Sequence, residues 1–257
     1  MQSPVFLGML PWDNVGVIAI TFVGTMVCHL VSPYVYKRTS KAYCTLPIRE
    51  RCKIDRYLGT AIAVVPCFAF ALQAFVFDPD FHQLTLLGSS TPGNAALGIT
   101  IGQCLSDFLY ERIVDGTFGS IRNVGHHLAS IVGAGVGFNV FHRLVVYRFI
   151  HHISLPLVII YDVMRKLKCN SRSRLFRFVM SINLFIFFLF RVVVIPFHWV
   201  WYFYELFTWR DEWQEIWLPF WAVLVGGIVM DYVNFIWAKG LWKIYWEAVN
   251  SSNNRDE

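Results

Sequence analysis

At 257 residues, 56% hydrophobic and 17% aromatic with only 15% charged, the chain is too apolar to keep a polar surface in water, which excludes a soluble globular domain. Its net charge of +5 comes from Lys and Arg at the edges of apolar stretches, not from one folded basic face, which argues against nucleic-acid binding. A spanning helix takes about 20 mostly apolar residues, and such stretches recur along the whole chain, so an all-α integral membrane protein of about seven transmembrane helices is expected.

The first stretch, 14–36, lacks a basic leader and a small-residue cleavage site and runs into the most basic connection of the chain, so it reads as a retained anchor. That connection carries Lys37, Arg38, Lys41, Arg49, Arg51, Lys53 and Arg56. Spans at 57–77 and 95–111 follow, joined by a loop with Asp78 and Asp80 but no Lys or Arg. Stretches 124–141 and 144–164 are parted only by Phe141 to Arg143, too short for a large loop. They form either two spans or a tight hairpin or re-entrant pair. Spans at 178–203 and 214–238 complete the seven, with Trp199, Trp201, Trp209, Trp213, Trp217 and Trp221 marking an interface. The chain divides into an anchor and basic loop at 1–49, a membrane domain at 50–245 and a tail at 246–257.

Positive residues are retained on the cytosolic side. Of the 22 Lys and Arg, 18 fall in the odd connections and the tail, three in the even ones, and Arg191 lies inside a span. The N-terminus is therefore expected in the lumen and the C-terminus in the cytosol, where the sequon Asn250-Ser251-Ser252 stays unglycosylated. Binding of anionic lipid headgroups is the alternative reading of the basic loops, and the topogenic one is preferred. Cys28, Cys67 and Cys104 fall in spans and Cys44, Cys52 and Cys169 in predicted cytosolic loops, so no disulfide is expected and no zinc spacing is present.

Ionisable residues inside a membrane are costly unless paired or facing a cavity, which makes each a functional candidate. Counting about 1.5 Å per residue, Asp107 lies about 7 Å inside Arg112 and His127 about 7 Å inside Arg122, with His126 one residue shallower. Asn183, Asn234 and Asp231 fall about 9, 7 and 12 Å above the basic residues that end their spans. Four helices thus bring polar groups to one layer. A carboxylate beside a histidine orients the ring and supports proton transfer or nucleophilic attack, and the same pair also serves as plain helix–helix glue. Deeper, at about 20 Å, lie His151, His152 and Arg191. Arg191 either caps a carbonyl beside a kink near Pro196 or grips the phosphate or carboxylate of a lipid. His29, His82, His142 and His198 read as core or interfacial. The His-His pairs lack the H-x-x-x-H or H-x-x-H-H spacing of a di-iron site, and no nucleotide-phosphate motif occurs, so no metal and no bound cofactor are expected. Gly125, Ala129, Gly133 and Gly137 form a small-residue stripe for close helix packing.

Ser106-Asp107, the His126-His127 pair, Ser154-x-Pro156, Asn183 with Phe-Leu-Phe-Arg191 and Ile195-Pro196, and Asp231-Tyr-Val-Asn234-Phe-Ile-Trp237 together resemble the TLC domain. That homology is shared by TRAM proteins, ceramide synthases and a neuronal ceroid lipofuscinosis protein. The resemblance covers residues 50–245 and is nearest to the small TLC domain-containing proteins of type four. It implies six membrane helices in a barrel around a lipid-accessible cavity, plus one peripheral helix. It also implies the endoplasmic reticulum or a connected membrane, and a role in lipid homeostasis. In ceramide synthases the histidine pair is needed to move a fatty acyl group from coenzyme A, which maps onto His126 and His127. The synthases' paired aspartates are replaced here by Phe149-Ile-His151-His152-Ile-Ser154, and the small proteins usually have a glutamate where His152 stands.

Two readings follow. In the first, His126 and His127 are catalytic for acyl transfer from fatty acyl-CoA with Asp107 as ring orienter, and Arg191, Asn183, Asp231, Asn234 and His152 contact lipid. In the second, which the missing aspartates favour, the protein is a non-enzymatic lipid sensor or carrier, or escorts protein cargo.

Overall fold

The computed structural model of the chain describes residues 12–118, 120–167, 169, 173–212 and 216–253. Trp213, Lys168, Arg172 and Arg255 therefore lie outside the described residues.

Serines and one aspartate set the helix starts by accepting from backbone N–H groups two or three residues on, which satisfies donors that a first turn leaves open. Ser40 caps α2 (Lys41–Cys44), Asp78 caps α4 (Pro79–Gln83), and Ser90 caps α5 (Thr91–Asp115). Ser120 caps α6 (Ile121–Gly137) and Ser173 caps α9 (Arg174–Phe188). α5 ends at Gly116, whose φ of 70° is the left-handed C-terminal cap that glycine adopts without strain. The other helices are α1 (Trp12–Thr39), α3 (Ile48–Phe77), α7 (His142–Arg148), α8 (Leu155–Lys166), α10 (Val194–Thr208) and α11 (Trp217–Asn253).

Among the described residues, five stretches are long and apolar enough to cross a membrane: Asn14–Thr39, Ile48–Phe77, His142–Lys166, Arg174–Thr208 and Trp217–Glu247. Their outward faces carry exposed Ile20, Val23, Ile62, Val65, Phe197, Val200, Phe207 and Ile228, a surface suited to lipid. α5 and α6, expected as two further spans, fall outside this set; α6 has only 17 residues. The basic connection after α1 is much shorter than expected. α1 runs to Thr39 and α3 starts at Ile48, so Arg49, Arg51, Lys53 and Arg56 are on helix.

Between α6 and α7 the chain turns through 138–141, with Phe141 at a φ of 56°. The turn is pinned to the segment before α5: Phe141 N–H donates to Leu86 O at 2.8 Å and Gly88 N–H to Asn139 O at 3.0 Å. The connection is thus a tight turn, and the stretch beyond it, His142–Lys166, is itself long and apolar enough to span. His142 holds this end, with Nδ1 2.6 Å from Gly137 O and Nε2 accepting from Ser90 N–H at 3.1 Å. The main core gathers here around Phe81, Leu86, Leu97, Phe138, Phe141, Leu144 and Tyr202.

Helix neighbours run α3 to α5, α5 to α6, α6 to α11, α11 to α9, α9 to α8 and α8 back to α3, while α1 packs on α3 and α5. Two helical stretches are broken at midlength. A 3-10 segment, Phe149–Ser154, separates α7 from α8, and a π segment, Leu189–Val193, separates α9 from α10. Each break lies just before a proline, Pro156 and Pro196, whose missing N–H and ring disrupt the ladder to the residue four places earlier. The two segments touch each other.

Candidate functional site

A chamber of about 530 Å³ opens among α3, α5, α6, α8 and α11. Its mouth is charged. Lys166 Nζ stands 2.5 Å from Asp162 Oδ2 and 3.4 Å from Glu50, Tyr57 hydroxyl donates to Asp162, and Arg165 Nη2 reaches Asp162 Oδ1 at 2.8 Å. Beside it, buried Asp55 accepts from Tyr43 at 2.6 Å and Tyr110 at 3.1 Å. Burial first, then the Asp55 contact, pushes the Tyr43 hydroxyl up, so it remains a donor.

Inside the chamber are Asp107, His126, His127, His152 and Arg191, so five of the eight expected site residues meet in one space. Asp107, on α5, is crowded. His29 Nε2 lies 2.9 Å from its Oδ1, Gln103 Nε2 donates to its Oδ2 at 2.9 Å, and Arg56 Nη1 stands 3.7 Å away. Arg56 also reaches Glu111 at 2.6 Å. His127 Nε2 is 3.8 Å from Asp107 Oδ2, too far for a hydrogen bond, while its Nδ1 is 3.3 Å from Cys104 Sγ. His127 packs edge-on against Phe108, and the neighbouring His126 ring lies 5.1 Å from Trp237. His126 lines this chamber and also a narrow crevice of about 70 Å³ walled by Ala129, Gly133, Leu144, Ala222 and Gly226. Consecutive helical residues point about 100° apart, yet both rings of the pair border the chamber.

The two helix breaks place the deeper group. Ser154, at the end of the 3-10 segment, accepts from Arg191 Nε at 2.8 Å, and Asn234 Oδ1 accepts from Nη1 at 3.0 Å. Side chains, not a backbone carbonyl, hold Arg191, so the carbonyl-capping reading is overturned. Among the described residues no carboxylate pairs with Arg191. By contrast Arg56 has Glu111, Arg143 has Glu205, Arg148 has Asp231 and Lys166 has Asp162. Arg191 and His152 also border both cavities, and Asn234 lines the crevice.

Two expected contacts are elsewhere. Asp231 is taken by Arg148, whose Nη1 and Nη2 donate at 2.9 and 3.1 Å, and by Trp199 Nε1 at 2.7 Å. Asn183 is buried, has neither amide atom partnered, and lines neither cavity. Both stand at a suitable height on their helices but line neither cavity. Residues missed from sequence are His29, Arg56, Gln103, Cys104 and Glu111. A charge match between Asp107 and Arg56 on two apolar helices is the signal that could have found one of them.

No curated protein and no solved structure matched the chain. A family model described as TLC domain matches residues 53–243, well over half of the chain, and takes in Arg56, Asp107, His126, His127, His152 and Arg191 while leaving out α1 and its His29. With five apolar helices long enough to cross a bilayer and this match over most of its length, the chain is a multi-pass membrane protein that belongs to the TLC domain family.

Proposed function

We propose that the protein handles acyl lipids within the membrane of the endoplasmic reticulum or a connected compartment, by acyl transfer at the His126-His127 pair. In this reading α5 and α6 complete seven crossings. The helices from α3 to α11 form the six-helix barrel with α1 peripheral, and the N-terminus is lumenal. The observation that carries the proposal is the shape and polarity of the cavity. A charged mouth opens to a chamber whose inner wall holds His126, His152 and Arg191, and the same three residues border the small-residue crevice. An amphiphile fits that order, with its chain toward Gly133 and Gly226. The guanidinium of Arg191, lacking an acidic partner, takes an oxyanion of the ligand, because an uncompensated buried charge is costly. Fatty acyl-CoA is the acyl donor, and the mouth lysines and arginines suit its phosphates.

A second reading, a lipid carrier, sensor or cargo escort without chemistry, is favoured by one observation: both ring nitrogens of His127 are directed at protein atoms, Cys104 and Asp107. Turnover of acyl-CoA by purified protein separates the two. His126→Ala with His127→Ala abolishes it under the first reading at unchanged folded yield, and wild-type turnover in that double variant rejects the histidine chemistry. Copurified lipid that is never converted supports the carrier.

A further inference from the structure

Cys104 is the one chamber-lining thiol among the described residues, and its surroundings are not those of an inert core cysteine. It lies three residues before Asp107 on α5, so both side chains emerge from the same helix face. Its Sγ is 3.3 Å from His127 Nδ1, and the opposite ring nitrogen, Nε2, faces Asp107 Oδ2 at 3.8 Å. Asp107 is itself fixed by His29, Gln103 and Arg56. The order thiol, imidazole, carboxylate, with the thiol bordering a cavity, is the arrangement that activates a cysteine nucleophile. Cys67 supplies an internal contrast. It lies 3.5 Å from His152 Nδ1, but it lines neither cavity and no carboxylate stands behind that ring.

We propose that Cys104, not a histidine, accepts the acyl group. This rests on the acyl-transfer reading above and names its nucleophile. The Cys104 thiol proton passes to His127 Nδ1 as Sγ attacks the thioester carbonyl of a fatty acyl-CoA. The carbon–sulfur bond to coenzyme A breaks, and the leaving thiolate takes the proton from His127. A thioester on Cys104 has replaced the one on coenzyme A, with no change of oxidation state. An acceptor hydroxyl or amine then attacks that thioester, His127 removes its proton, and the Cys104 thiol is restored with that proton. Because the proton moves as the sulfur attacks, no free thiolate stands in the apolar chamber. The role also explains why His127 points at protein on both sides: one nitrogen serves the sulfur and the other the carboxylate.

The test is palmitoyl-CoA incubated with the full-length protein in detergent, followed by peptide mass spectrometry with and without hydroxylamine, and by turnover measurement. A hydroxylamine-labile palmitoyl group is expected on Cys104, ahead of the exposed Cys44 and Cys169 that would report uncatalysed acylation. Cys67→Ala keeps the label, Cys104→Ala loses both label and turnover, and His127→Ala, which retains the thiol, labels roughly a hundredfold more slowly. Should Cys104→Ala fold poorly, His127→Ala decides: labelling of Cys104 at the wild-type rate overturns the assignment. Wild-type turnover in folded Cys104→Ala overturns the cysteine route and leaves acyl transfer standing. Absence of both label and turnover in the wild type removes acyl transfer itself and the cysteine route with it.

Discussion

Asp231 stands at the height of the chamber's polar residues, yet its three hydrogen bonds go to Arg148 and Trp199, and this geometry makes a quantitative claim. The pair is largely buried, with side-chain exposures of 16% for Arg148 and 8% for Asp231. Asp231→Ala leaves the guanidinium uncompensated in an apolar wall. Breaking one side of such a pair costs about 3–5 kcal/mol, and each 1.4 kcal/mol is about tenfold in population. The folded-to-unfolded ratio therefore falls by roughly a hundred- to a few thousandfold. Removing both charges, with Arg148→Met and Asp231→Leu together, recovers part of the loss, because no isolated ion remains. What stays lost is the Trp199 indole bond and the bond from Arg148 Nε to His198 Nε2, about 1–3 kcal/mol for each group that finds no new partner. Size-exclusion after graded heating in detergent reads stability for the two variants, and mass spectrometry reads lipid per folded molecule. An Asp231→Ala protein that melts like the wild type yet loses its lipid would refute the structural assignment and return Asp231 to the ligand site.

Two further outcomes follow from the same reasoning. Arg191→Lys keeps the charge but not the planar fork that holds Ser154 and Asn234 while offering a further donor to a ligand, so both Arg191→Lys and Arg191→Leu are expected to copurify with several-fold less anionic lipid; normal amounts in both variants remove the oxyanion role. Gly102→Ala puts a Cβ 2.5 Å from Ile18 O, where α1 crosses α5, and is expected to cost about 1–3 kcal/mol of stability through overpacking. An unchanged melting temperature would deny that close approach.

The membrane class and the order of apolar helices were legible because a spanning stretch carries its own hydropathy signal and needs no partner to be recognised. The breaks were half legible. Pro156 and Pro196 mark them, but whether a proline bends a helix, widens it into a π turn or tightens it into a 3-10 turn depends on what its neighbours accept, here Ser154 taking Arg191 Nε. Counting residues from a basic end gives height along a helix and not direction around it. That is why residues placed at one height divide in the structure, with Asp107, His126 and His127 lining the chamber and Asp231 and Asn183 not. His29 reads from sequence as core or interfacial because a lone histidine on α1 has no visible partner until α5 is placed alongside. Arg56 was counted as a loop charge, since hydropathy starts the span one residue later, whereas the helix begins at Ile48 and carries Arg56 inward.

The placement of buried charge explains why α1, outside the matched TLC segment, still belongs to the site. Asp107 borders a chamber of mixed polarity, and under the proposed acyl transfer it has to stay an acceptor facing the imidazole of His127. A carboxylate there with one weak partner would be neutralised by uptake of a proton. Arg56 alone stands 3.7 Å away and is shared with Glu111, so it supplies only part of the compensation. The closer contacts come from Gln103, on the same helix, and from His29, whose ring reaches Asp107 past Gly59, where a Cβ would stand 2.5 Å from His29 Cε1. Glycine at that crossing is what lets α1 approach closely enough for the histidine to insert. α1 thus reaches Asp107 through His29, with Thr25 Oγ1 donating to the neighbouring Ser106 at 2.6 Å, so a helix with no residue lining the chamber helps hold the carboxylate that faces His127.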